Sequence, residues 1–190
     1  MGMNFHAYLS HSLNQQDLLN YCNELNCKNH KFIETFIEEL LPYNPEDINK
    51  EWKLRFDDFN GTYELDGPCG LGFTFSEKVC MVSHYTRWLT FLLNDLDFDF
   101  QKQLRNVSYE LMNKMESDYV IYVPDSGAIE SAIMDFMWED ENKDIEYMKD
   151  WLLRKCGEPK EHIIDIYNDL GDSWDSKGYY IDLFTDYRNV

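Results

Sequence analysis

Residues 52–83 read WKLRFDDFNGTYELDGPCGLGFTFSEKVCMVS, and this stretch decides the class of fold. Apolar and polar residues alternate along it, as they do in half-buried strands, and short turn-forming clusters interrupt the alternation. Asn60-Gly61 is the strongest hairpin signal, while Gly67-Pro68-Cys69-Gly70 and Glu77-Lys78 mark two further turns. The stretch therefore predicts an antiparallel meander of four short strands.

Outside the meander, apolar residues recur at helical spacing, which predicts two helices before it and four after it. The stripes are Leu18, Cys22 and Leu25; Ile33, Phe36, Ile37, Leu40 and Leu41; Trp88, Leu89, Leu92 and Leu93; Phe100, Leu104, Val107, Leu111 and Met115; Ile129, Ala132, Ile133, Phe136 and Met137; and Ile145, Met148 and Leu152. Asn14 has the side chain expected of a helix N-cap, and Gly157 is expected to end the last helix.

Three further strands are predicted outside the meander. Residues 4–9 place Phe5, Ala7 and Leu9 on one face, and residues 179–184 form a closing strand. The run at 119–123 is apolar throughout, which is typical of a central strand covered on both faces. Strands grouped in one block and helices in others indicate a single α+β domain over residues 1–190.

The chain is strongly acidic, with 36 acidic and 17 basic residues and a formal net charge of −19. High net charge can indicate disorder, but 13 Tyr, 12 Phe and 5 Trp supply the large apolar rings of a folded core. The acids are spread along the whole sequence. Because phosphates are bound through Lys and Arg, this composition disfavours direct binding of nucleic acid.

Cysteine usage and hydropathy indicate the cytoplasm. The five cysteines are an odd number, which fits reduced thiols better than a disulfide framework. The first ten residues lack the pattern of a secretion signal, and no apolar run reaches the length of a membrane span. Cys22, Cys27 and His30 lack the paired short spacings of zinc sites, so we expect neither a metal nor a cofactor.

Two residues support an enzymatic alternative. Ser126 lies at a tight turn between the predicted central strand and a helix, where hydrolases of the nucleophile-elbow kind carry their serine. The glycines which that motif requires are replaced by Pro124 and Ala128, so helix capping by Asp125 or Ser126 is the preferred interpretation. His84 follows the meander and could act as a general base, or lie at an ordinary helix start capped by Ser83.

Acidic residues are densest where aromatic residues interrupt them, between positions 135 and 151 and again near the end of the chain. Aromatic anchors surrounded by one sign of charge are typical of protein-binding surfaces. The predicted partner-binding residues are Trp138, Glu139, Asp140, Glu141, Tyr147, Trp151 and Trp174.

Two classes of function follow from these patterns. The first is an acidic protein-binding module whose partner is a basic protein, such as an immunity-type inhibitor that neutralises it. The second is a small hydrolase or transferase that uses His84 and Ser126. The charge pattern favours the binding module.

Overall fold

The computed structural model describes residues 4–93, 99–123, 127–137, 143–169 and 178–187. Within these ranges the chain forms seven strands, six α-helices and four short 3₁₀ turns. The strands are β1 (Asn4–Ser10), β2 (Lys53–Asp57), β3 (Thr62–Asp66), β4 (Gly72–Phe75), β5 (Val79–Arg87), β6 (Val120–Tyr122) and β7 (Tyr180–Asp182). The helices are α1 (Gln15–Asn26), α2 (Lys31–Leu40), α3 (Trp88–Leu93), α4 (Phe100–Lys114), α5 (Gly127–Met137) and α6 (Ile145–Cys156).

The strands form one antiparallel sheet in the order β2-β3-β4-β5-β1-β6-β7, which confirms the α+β class. The predicted meander is present as β2 to β5, each strand pairing with the next. Its first connection has four residues and ends at Gly61, whose φ of 65° suits glycine. The sheet therefore grows from the local hairpins that the sequence predicts.

Helices cover both faces of the sheet, and the alternation along β1 shows how the two cores divide. Phe5, Ala7 and Leu9 point into a larger core formed with helices α1 to α4. Tyr8 points the other way, into a smaller core formed with α5 and α6. This opposite orientation follows from the two-residue period of a strand.

Strand β6 is buried on both faces, as its continuous apolar sequence predicts. Val120 and Tyr122 pack in the larger core, and Ile121 packs in the smaller one. β6 has a neighbour on each side, β1 and β7, while the middle position of the sheet belongs to β5. A strand with partners on two sides and helices on two faces needs apolar residues throughout.

The predicted helix boundaries are confirmed at two places by their caps. Asn14 accepts the backbone N–H groups of Gln16 and Asp17, and the Asp17 carboxylate accepts the N–H of Asn14 in return. Gly157 ends α6 with a φ of 81°. Among the described residues, no helix is long and apolar enough to cross a membrane.

The prediction that His84 lies at a helix start is wrong. Strand β5 continues to Arg87, and α3 begins only at Trp88. The reason is long-range pairing, because β1 lies alongside the whole of β5 and pairs Phe5 with His84. Ser83 is consequently a strand residue and not a helix cap.

Candidate functional site: an acid-rimmed groove and the turn that supports it

The turn between β3 and β4 is held in an unusual conformation by residues distant in sequence. Cys69, at its centre, has a φ of 55°, which is rare for a residue with a side chain. Its N–H donates to Oδ2 of Asp47 at 2.6 Å, and its carbonyl accepts a hydrogen bond from Nε2 of His84 at 2.9 Å. The turn is thus fixed by partners on both sides of its central residue.

The ring of His84 is fully committed to the protein. Nδ1 accepts the backbone N–H of Thr86 at 3.1 Å and lies 2.5 Å from the hydroxyl of that residue. Nε2 therefore carries the proton that bonds Cys69. Burial lowers the pKa of His84 to about 4, against the weaker opposing effect of the Cys69 carbonyl. The side chain is 2% exposed, so the structure shows His84 as a neutral support for the turn.

The proposed catalytic partner of His84, Ser126, lies outside the described residues, as does Asp125. Their pairing and the helix-capping alternative therefore both stay predictions. Both ring nitrogens of His84 are bonded to the protein. A general base must reach the proton that it removes, so this arrangement does not favour a catalytic role for His84.

Trp52 packs against the other end of the same turn. Its ring stacks on Phe73, with centroids 5.0 Å apart and planes inclined by 21°. A Cβ atom added at Gly67 would lie 2.4 Å from the Trp52 ring, so only glycine permits this close approach. The Asn26 amide holds the backbone of Trp52, accepting its N–H at 2.8 Å and donating to its carbonyl at 3.1 Å. Trp52 is thereby fixed between α1 and the turn.

Above Trp52 lies a half-open groove of about 340 Å³, walled by α1, α2 and residues 47–52. We call its apolar lining the floor and its charged lining the rim; most of the floor is buried, whereas Ile48 is exposed. The apolar members are Leu25, Ile37, Leu41, Ile48, Trp52 and Pro68. The charged members are Glu34, Glu38, Asp47, Glu51, Lys28 and Lys50. Four carboxylate and two ammonium side chains therefore line the groove, which gives it an excess of negative charge.

The electrostatics of the rim follow from its geometry. Glu34 and Glu38 are one helical turn apart on α2, where like charges repel. Partial burial raises the pKa of Glu34; Lys28 opposes this effect, whereas the negative charge of Glu38 adds to it. On the opposite wall, Lys50 pairs with Asp47 at 3.9 Å. A further cation in the groove would be attracted by the charge that these lysines leave unbalanced.

Large apolar side chains are exposed beside the groove. Ile48 lines it and is 68% exposed, and Tyr43, five residues earlier, is 79% exposed. Tyr85 is also exposed; its ring lies over Gly70, where an added Cβ would come within 2.2 Å of it. The Tyr85 hydroxyl meets the Asn44 amide at 3.3 Å, which links this strand to the segment carrying Tyr43. Acids and exposed apolar groups thus share one region of the surface.

The surface predicted from sequence lies elsewhere, on α6. Tyr147 is exposed there, and Trp151 is partly buried against the smaller core. Two nearby acids have structural roles, since Asp144 caps α6 and Glu146 bonds to the Tyr119 hydroxyl and to Lys149. The other predicted partner-binding residues, Trp138, Glu139, Asp140, Glu141 and Trp174, lie outside the described residues.

Residues 47–52, which line the groove, and the exposed Tyr43 were not among the predicted partner-binding residues. The sequence contains one indication of this exposed segment. Tyr43 and Ile48 flank a proline and two acids in a stretch without the apolar period of a strand or a helix. Large apolar side chains are normally buried or form a regular stripe along an element. Their presence in an acidic turn therefore indicates apolar side chains that are exposed to solvent.

Within the described ranges, no group of three or more His, Cys, Asp or Glu side chains is arranged to hold a metal ion. All five cysteines are described and are free thiols; Cys22, Cys69 and Cys80 are buried, Cys156 is partly buried and Cys27 is exposed.

Comparisons of the chain with protein-family models, with curated proteins and with solved structures each gave no match. The described residues place the chain among α+β proteins, with one antiparallel sheet covered on both faces.

Proposed function

We propose that this chain is an acidic protein-binding module that recognises a basic protein partner and neutralises it, as an immunity-type inhibitor does. The observation that carries the proposal is the groove over Trp52, whose lining combines four carboxylate side chains with apolar ones, among them the exposed Ile48. Protein interfaces commonly combine an apolar centre with a charged border.

Charge supports the proposal at long range. A net charge of −19 attracts a basic protein before contact, which accelerates association at low ionic strength. The exposed Ile48, Tyr43 and Tyr85 supply the apolar contact that slows dissociation after encounter. The same charge repels nucleic acid, whose phosphates need cationic partners.

The α6 surface around Tyr147 remains the second predicted location for the partner. We prefer the groove because Ile48, which lines it, is 68% exposed, whereas Tyr147 on α6 is 36% exposed and Trp151 is partly buried against the smaller core. We do not favour the hydrolase alternative, since both nitrogens of His84 bond the protein and its ring is buried.

The proposal is tested by affinity capture with the immobilised full-length chain at low salt, followed by direct titration of each purified captured protein. The bait variants are Glu38→Lys in the groove and Asp150→Lys as the matched change on α6. We expect to capture a basic protein that binds the wild-type chain with defined stoichiometry. Its binding should weaken as salt is added and should be lost with the groove variant. Failure of every captured basic protein to bind stoichiometrically would contradict the proposed function.

A further inference from the structure

We infer that the groove over Trp52 receives an arginine side chain of the partner, with its aliphatic part on the apolar floor and its guanidinium among the rim carboxylates. This inference rests on the proposed function and specifies the chemical group that the groove recognises. Three properties of the described residues support it, namely the size, the polarity and the existing ion pairs of the groove.

The size of the groove fits a side chain and not a folded element. Its volume of about 340 Å³ is at the lower end of the range of ~300–1,000 Å³ found for ligand pockets. Its walls are preformed: Asn26 fixes the backbone of Trp52, and Gly67 allows the turn to contact the Trp52 ring. A preformed pocket loses little conformational freedom on binding, which favours the insertion of one long side chain.

The distribution of polarity matches a long cationic side chain. Leu41 and Ile48 offer accessible apolar surface in the groove, and arginine and lysine cover such surface with their methylene groups while the charged head stays near the polar side chains. Glu34 and Glu38 line the α2 side of the rim, and Asp47 and Glu51 line the other. A cation held there contacts opposite charge from two separate segments of the chain.

The existing ion pairs favour arginine over lysine. Lys50 already places an ammonium group near Asp47, and Lys28 acts on Glu34, yet the rim retains an excess of carboxylates. A guanidinium is more weakly hydrated than an ammonium and binds carboxylates through two parallel hydrogen bonds. It therefore loses less hydration on entering a half-apolar groove.

The probe is a short peptide, blocked at both ends, that carries one arginine between two leucines. Matched peptides contain lysine or the neutral isostere citrulline in place of the arginine. Each is titrated into the isotopically labelled full-length chain at low salt, and the change in backbone and indole NMR signals gives both the site and the dissociation constant. We expect saturable changes around Trp52, with the arginine peptide binding most tightly and the citrulline peptide least.

Variants then separate the groove from the general acidity of the surface. Glu38→Gln and Glu51→Gln should each weaken arginine binding about 3-fold, the effect of a partly exposed charge pair. Lys50→Gln should strengthen binding about 2-fold because it removes a competing cation. Asp150→Gln, on α6, alters the net charge by the same amount as the glutamate variants and should leave the dissociation constant nearly unchanged.

Three results would overturn the inference, and they differ in what they imply. Saturable binding with signal changes on α6, or equal weakening by Asp150→Gln, would exclude the groove and leave the proposed function standing. Equal affinity for the citrulline peptide would exclude recognition of the charge. No binding of the arginine or lysine peptide, together with no stoichiometric basic partner, would remove both proposals.

Discussion

The imidazole Nε2 of His84 lies 2.9 Å from the carbonyl oxygen of Cys69, a residue whose φ of 55° is otherwise costly. This hydrogen bond connects β5 to the turn that packs beneath the groove. The Asp47 carboxylate accepts a hydrogen bond from the N–H of the same cysteine, and Asp47 also lines the groove. His84 and the groove residue Asp47 therefore bind the same turn residue from two sides.

The first prediction concerns the pH dependence of stability. The pKa of His84 is about 4 in the folded chain and about 6.5 in the unfolded one, so its stabilising effect is complete above pH 6.5. It is lost as the pH falls towards 4, and the total change is about 3 kcal/mol. Urea unfolding should show that the stability difference between wild type and His84→Gln shrinks over this interval.

His11, whose pKa burial also lowers, is present in both proteins and cancels from that difference. The repulsion among the many carboxylates cancels for the same reason. A difference between wild type and His84→Gln that stays constant from pH 7 to pH 4 would show that His84 is not held neutral by the fold.

The second prediction concerns the contact between Gly67 and Trp52. Gly67→Ala places a Cβ 2.4 Å from the ring, which must shift, and we expect a loss of about 1–3 kcal/mol in the free energy of unfolding. Gly61→Ala is the control, because it has no neighbour within 4 Å and loses only about 1 kcal/mol through its positive φ. Thermal unfolding of both variants measures the comparison.

Only Gly67→Ala should also alter the NMR signal of the Trp52 indole and weaken binding of the arginine peptide. Equal destabilisation by the two alanine substitutions would show that the turn can move away from Trp52 without cost.

The third prediction tests the amide that fixes the groove wall. Asn26→Ala removes both hydrogen bonds to the Trp52 backbone and should cost about 1–2 kcal/mol in the free energy of unfolding. Asn113→Ala removes a single exposed hydrogen bond to Tyr109 in α4 and should cost less than about 0.5 kcal/mol. Chemical denaturation gives both values.

Asn26→Asp adds a sharper comparison, because it keeps the acceptor for the Trp52 N–H and replaces the donor to the carbonyl by a charged oxygen. We expect its stability to lie below that of wild type at neutral pH and to recover in part as the carboxylate is protonated. No recovery on acidification would argue against the two-bond contact between Asn26 and Trp52.

The fourth prediction compares a buried ion pair with an exposed one. Arg105 on α4 bonds Asp182 of β7 at 2.8 Å, and Asp182 is only 2% exposed. Arg105→Met leaves that carboxylate buried without its cation and should cost about 3 kcal/mol. Arg55→Met breaks the exposed pair with Glu64 on the meander and should leave the unfolding midpoint nearly unchanged.

Urea unfolding of the two methionine variants checks this contrast. Arg105 also contacts the rings of Phe184 and Tyr187, so its loss should release the segment that follows β7 before the rest of the chain unfolds. Equal, small effects of both substitutions would mean that the Arg105–Asp182 pair does not anchor this segment.

The sequence predicts local elements well where one residue pattern determines them. The meander follows from alternation and turn residues, and the start of α1 follows from Asn14 and Asp17. The extension of β5 to Arg87 was not predictable in this way, because it depends on pairing with β1, more than seventy positions away in the chain. Strand length is set by the partner strand as much as by the strand itself.

By itself, then, the sequence determined the α+β class, the four-strand meander, the doubly covered β6 and the net negative charge. These properties arise from periodicity and composition, which act over a few residues. Only the tertiary structure decided that His84 is buried as a neutral support and that residues 25–28, 34–41, 47–52 and 68 form one groove. Both depend on long-range packing, since burial sets the protonation of a histidine and a groove exists only where separate segments meet.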